Sequence, residues 1–158
     1  MAPPMRAVIL GCGTLGTALA LAVTAARADC FDWQHPQAAI EQGTLQGLPT
    51  GPLRWRIGRA PAGGVHLSTA VDLRWTPAGG PTRTQRIFEG MQDGRVQIDR
   101  QGAMLRLRIT ACGTGDQQCR DIPLTYAWDR AAQRFVGASP AARQAMEGAC
   151  AVDAGSSR

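Results

Sequence analysis

The chain has 158 residues, with 17 Lys plus Arg against 12 Asp plus Glu and a formal net charge of +5. That length suits one domain with a single core. Every basic side chain is arginine, as GC-biased coding produces, and so mild a positive balance argues against nucleic acid as a partner.

The opening segment holds Gly11-Cys12-Gly13-Thr14-Leu15-Gly16, the glycine spacing of a dinucleotide-binding turn. Its context does not fit. Such a turn opens an amphipathic helix and is followed by a second strand with an acidic residue about 20 residues on. Residues 17–26 carry no charge and no polar face, and Asp29 and Asp32 follow no apolar run. The segment reads instead as an export signal. Arg6 gives a positive start, residues 7–26 are uncharged and mostly apolar, and Ala26-Arg27-Ala28 places small residues where a signal peptidase cuts. The expectation is a signal peptide over 1–28, one disulfide-bonded domain over 29–150, and a flexible tail over 151–158. The location is then periplasmic or secreted, with no stable membrane span after cleavage.

Beyond residue 28 four cysteines remain, Cys30, Cys112, Cys119 and Cys150. An even number in an oxidising compartment predicts two disulfides, with three possible connectivities. A bridge from Cys112 to Cys119 would close a short turn-like loop and leave Cys30 and Cys150 to join the chain's two ends. The spacing of Cys112 and Cys119 is not that of zinc ligands, and only His35 and His66 could assist, so no metal and no cofactor is expected.

Along the domain, Pro36 and Gly43 bracket a predicted short helix within residues 31–43. Period-two alternation follows. Leu53, Trp55 and Ile57 oppose Arg54 and Arg56. Val65, Leu67, Val71, Leu73 and Trp75 oppose His66, Ser68, Asp72 and Arg74, which are expected to face solvent. Further strands are read at 86–88, 96–98, 105–109, 122–128 and 134–136, separated by Gly- and Asp-containing turns. Ser139-Pro140 caps a last helix that Gly148 ends. The fold class is α+β: an antiparallel meander of six or seven strands, apolar on one face, with a short helix near each end.

No catalytic constellation stands out. Ser139 is taken as a cap, and His66, Ser68 and Asp72 on one strand stand parallel instead of converging. The chain is therefore expected to be non-catalytic, with a small hydrolase built around His66, or a structural component of an envelope complex, as the alternatives. Arg54, Arg56, Arg74, Arg95, Arg106 and Arg108 fall on the polar sides of their strands. If those strands pair, the arginines form one surface, thinned by Asp72 and Asp99, that could hold carboxylates or phosphates, with Arg106 and Arg108 as its candidate binding residues. Trp55, Trp75 and Trp128 are placed on apolar sides, and Trp33 lies beside the first helix.

The loop Gly113, Thr114, Gly115, Asp116, Gln117 and Gln118 is the best single candidate contact, since a bridge across its base would preorganise it. The alternating strand, "ACGTGDQQC" and the following "RDIPLTYAWDRAAQRFVG" resemble the bacterial periplasmic inhibitors of vertebrate lysozyme, over about a quarter of the mature chain. The resemblance implies a cysteine-bridged loop after a strand of an antiparallel sheet, a Trp-containing strand next, and inhibition of a cell-wall-degrading enzyme. That family's shorter loop presents a histidine to its target. Residues 113–118 hold none, Asp116 being their charged side chain, so the inhibitory residue is not carried over. The partner expected is a protein or an anionic envelope component.

Overall fold

The computed structural model describes residues 30–63, 66–92, 94–112 and 118–152. The expected signal peptide and most of the expected tail lie outside them. Eight strands are described: β1 (Ala39–Leu48), β2 (Gly51–Pro61), β3 (Leu67–Trp75), β4 (Arg83–Gln92), β5 (Val96–Gln101), β6 (Met104–Cys112), β7 (Cys119–Asp129) and β8 (Arg134–Gly137). One helix, α1 (Pro140–Gly148), follows. All pairings are antiparallel between neighbours in sequence. They form not one meander but two four-stranded sheets, β1-β2-β3-β4 and β5-β6-β7-β8.

Alternation is the reason they face each other. Leu53, Ile57, Val71, Leu73, Trp75 and Ile87 from the first sheet meet Val96, Leu105, Leu107, Leu124, Tyr126 and Phe135 from the second in one core. A single sheet would leave that face wet; two sheets bury both faces. β1 lies against β5, and β4 against β8. At the β4–β8 seam the Gln85 side chain takes the place of a ladder: its Nε2 donates to Phe135 O (2.8 Å), and Phe135 N donates to its Oε1 (2.9 Å). Inside, the Tyr126 hydroxyl donates to Ile87 O at 2.9 Å, tying one sheet to the other. Burial pushes its pKa well above the ordinary tyrosine value.

The expected first helix is not there. Residues 32–38 make short turns, with His35 N–H donating to Asp32 O and Ala38 N–H to His35 O. From Ala39 the chain is strand, paired with β2 from Ala39↔Arg59 to Leu45↔Leu53. Helix formers such as Ala39, Glu41 and Gln42 are overruled by an available edge. Gly43 reads as a helix stop but serves packing: a Cβ there would sit 2.5 Å from Cζ2 of Trp55. The C-terminal helix is as expected. Ser139 Oγ accepts from Ala142 N–H (3.2 Å), Pro140 opens the first turn, and Ala142 is fully buried.

Candidate functional site

The foot of the 113–118 loop is the end of the β6–β7 hairpin. Register runs Ile109↔Ile122, Thr110↔Asp121, Ala111↔Arg120, Cys112↔Cys119. Thr110 Oγ1 donates to Asp121 Oδ1 at 2.7 Å, a cross-strand bond two rungs from the Cys112↔Cys119 pair. Cys119 is disulfide-bonded. Gly113, Thr114, Gly115, Asp116 and Gln117 lie outside the described residues; Gln118 is exposed. Cys30 is bonded to Cys150, with a Cα–Cα distance of 5.9 Å and a sequence separation of 120.

The six arginines do not make one surface. Arg54, Arg56 and Arg74 belong to the first sheet, Arg106 and Arg108 to the second, and Arg95 precedes β5. Arg106 clasps Asp99, its register partner, through Nε (2.9 Å) and Nη2 (3.0 Å). The hydrogen bonds and charge of Asp99 raise the Arg106 pKa. Arg108 reaches the same carboxylate at 3.6 Å, so one acid serves two arginines, and its buried Nε has no acceptor among the described residues.

Asp72 corrects the sequence reading. It is not solvent-facing but 2% exposed, and its carboxylate accepts from Arg56 (Nη2, 2.8 Å) and Arg86 (Nε, 2.7 Å). The cover comes from the N-terminal segment. Phe31 and Trp33 pack over Ala60 and Ala70, and the Arg56 guanidinium lies 3.7 Å from the Trp33 ring centroid. Gly58 makes the approach possible, since a Cβ there would fall 2.5 Å from the Phe31 ring. Arg86 also donates to Glu89 (3.1 Å), whose carboxylate accepts the backbone N–H of Phe31 and that of Cys150 (2.8 Å). Burial alone would raise the Glu89 pKa. The Cys150 and Phe31 N–H groups and the Arg86 charge outweigh it and hold the carboxyl below its ordinary value. Burial likewise works against the Arg86 charge, but Asp72 and Glu89 raise its pKa above normal. This cluster clasps both ends of the domain, and pattern reading missed it. The signal was the run of small residues, Gly58, Ala60 and Ala70, on strand faces read as wet.

His66 immediately precedes β3, and its C=O accepts from Ala62 N–H. Asp72, four positions beyond Ser68, is held by two arginines and does not serve as a base's orienting partner. Potential ligand atoms of Cys30, Glu89 and Cys150 come within 4.8 Å of one another, but the two sulfurs are joined to each other and offer no thiolate.

Compared with protein-family models, curated proteins and solved structures, the chain matches none of them.

Clefts open on the surface of the described residues. One, of about 320 Å³, lies between the sheets and is lined by Trp55, Ile57, Val96 and Ile98 with Glu41, Arg95 and Gln97. Another, of about 290 Å³, opens at the Trp75 end of the first sheet and is lined by Pro52, Arg54, Arg74, Trp75, Thr76 and Thr82. Neither contains a nucleophile beside a base. Among the described residues no helix is long and apolar enough to cross a membrane.

Proposed function

We propose that the protein is an exported, non-catalytic binding domain of the periplasm or cell envelope, inhibitor-like in action, whose contact is the loop 113–118. The observation that carries this reading is the foot of that loop. A disulfide-bonded Cys119 stands opposite Cys112 at the end of a regular hairpin, on a scaffold whose two ends are joined by Cys30–Cys150. A loop whose ends are fixed loses less entropy on binding than a free one. The partner is a protein or an anionic envelope component. Arg106 and Arg108 stand on β6, the strand that leads into the loop, but with Asp99 beside them they offer less free charge than the sequence suggested. The hydrolase reading is disfavoured by the engagement of Asp72 with Arg56 and Arg86.

The test uses the disulfide-bonded protein and two variants, Asp116→Arg in the loop and His66→Ala outside it, each checked for fold by circular dichroism. The protein is cross-linked to its partner in an envelope extract. The adduct should form with the wild type and with His66→Ala, and be lost with Asp116→Arg. An adduct indifferent to Asp116→Arg, or a hydrolytic activity that vanishes with His66→Ala, overturns the reading.

A further inference from the structure

Register orders the outer face of the first sheet into rows. Gln42, Arg56, Asp72 and Arg86 stand side by side across its four strands, and Ile40, Gly58, Ala70 and Glu89 form the next row. In these rows both guanidinium groups meet carboxylates: Arg56 pairs with Asp72, and Arg86 with Asp72 and Glu89. The row on the other side is Thr44, Arg54, Arg74 and Thr84. Two arginines face each other directly there, with no acid beside them. Neither has an ion pair among the described residues. Like charges directly opposite across a ladder destabilise a sheet.

The cleft of about 290 Å³ opens beside this pair, and its wall holds both arginines, Pro52, Trp75, Thr76 and Thr82, with no carboxylate. The hydroxyls of Thr76 and Thr82 hydrogen-bond to each other at 2.8 Å. Each hydroxyl carries one hydrogen, so one of the two remains for a ligand. Trp75 lines the cleft as well, but its Nε1 is buried and its ring packs in the core between the sheets, so the donors offered to a ligand are the two guanidinium groups and the remaining hydroxyl.

From this uncompensated charge and donor set we infer that the cleft binds a phosphate monoester. Guanidinium forks match phosphate oxygens two at a time. A phosphate monoester carries a charge of about −1.5 to −2 near neutral pH, which offsets both arginines, whereas a carboxylate offsets one. The volume, just under the roughly 300–1,000 Å³ of small-molecule pockets, holds a phosphate together with a small group that bears it. The cleft belongs to the other sheet from the loop and goes beyond the proposed function. Its failure would leave the loop reading standing.

The experiment titrates the disulfide-bonded protein with inorganic phosphate, glycerol 3-phosphate and vesicles of phosphatidic acid in phosphatidylcholine, at about 0.15 M salt to screen nonspecific attraction. Acetate is the carboxylate comparator. Indole N–H resonances and the thermal midpoint report binding. Phosphate should bind in preference to acetate and raise the midpoint. Arg54→Gln with Arg74→Gln should weaken it about tenfold or more, the loss expected for charge-assisted hydrogen bonds. Arg106→Gln with Arg108→Gln should leave it unchanged. Binding of glycerol 3-phosphate marks a soluble ligand, and binding of vesicles alone marks a lipid headgroup; both support the site. Without ligand the Arg54→Gln, Arg74→Gln protein should be no less stable than the wild type, because a repulsion is removed. Equal binding of acetate, phosphate binding that survives loss of both cleft arginines, or equal loss in the Arg106, Arg108 pair overturns the inference.

Discussion

Glu89 shows how much one side chain can hold. Its carboxylate takes an N–H from each end of the domain and a guanidinium from its own strand. Its pKa is lower folded than unfolded, so its contribution is fully present above the unfolded glutamate value, about 4.3, and is lost as pH falls through the folded one. Glu89→Gln should therefore be less stable than the wild type by about 2–4 kcal/mol near neutral pH, since a buried charge pair is broken. The gap should narrow as pH falls below about 4. Urea denaturation at a series of pH values measures it, and a gap that stays constant from neutral to acid pH would refute the role. Little of this was legible beforehand. Alternation sends Asp72 to the wet side of β3, and only the small residues Gly58, Ala60 and Ala70 hinted that something large, Phe31 and Trp33, covers that side.

At the scale of elements, legibility followed how locally each decision is made. The strands after β1 could be read because alternation and flanking turns are local to each segment, and α1 because its cap lies in its own sequence, Ser139 and Pro140. β1 could not: its first residues, Ala39 to Gln42, favour a helix, and what makes it a strand is the edge of β2, which follows it in a hairpin. The division into two sheets was hidden for the same reason, since it depends on which strands stop pairing. The Gln85 clasp gives this division a test. Gln85→Leu keeps the side chain's bulk but leaves both Phe135 backbone groups without partners, and should cost about 2–4 kcal/mol. Hydrogen exchange would show the Phe135 amide losing protection before the amides of β2 and β3. Unchanged protection at Phe135 would mean that the seam is held by apolar packing alone.

At the scale of the molecule, two devices hold the same two ends. The core between the sheets excludes Phe31 and Trp33, which belong to a separate apolar cluster on the outside of the first sheet. What keeps that cluster closed is the Cys30–Cys150 bond together with Glu89 beneath it. In the chain-entropy account a bridge closing a loop this long contributes about 4–5 kcal/mol, realised in practice as about 2–5. Replacing both cysteines by serine should lower stability within that range and leave the two-sheet core folded, with cooperative unfolding and an unchanged tyrosine environment at Tyr126. The sharper expectation concerns coupling. Once the bridge is gone the 30–38 segment frays, and Glu89 has already lost one of its two N–H partners. Glu89→Gln should then cost less in the serine background than in the bridged protein, by an interaction energy of about 1 kcal/mol or more. A double-mutant cycle by urea denaturation reads this directly. Additive effects would mean that bridge and carboxylate act on separate parts of the fold; coupling of the expected sign would make them one latch over the outer face of the first sheet.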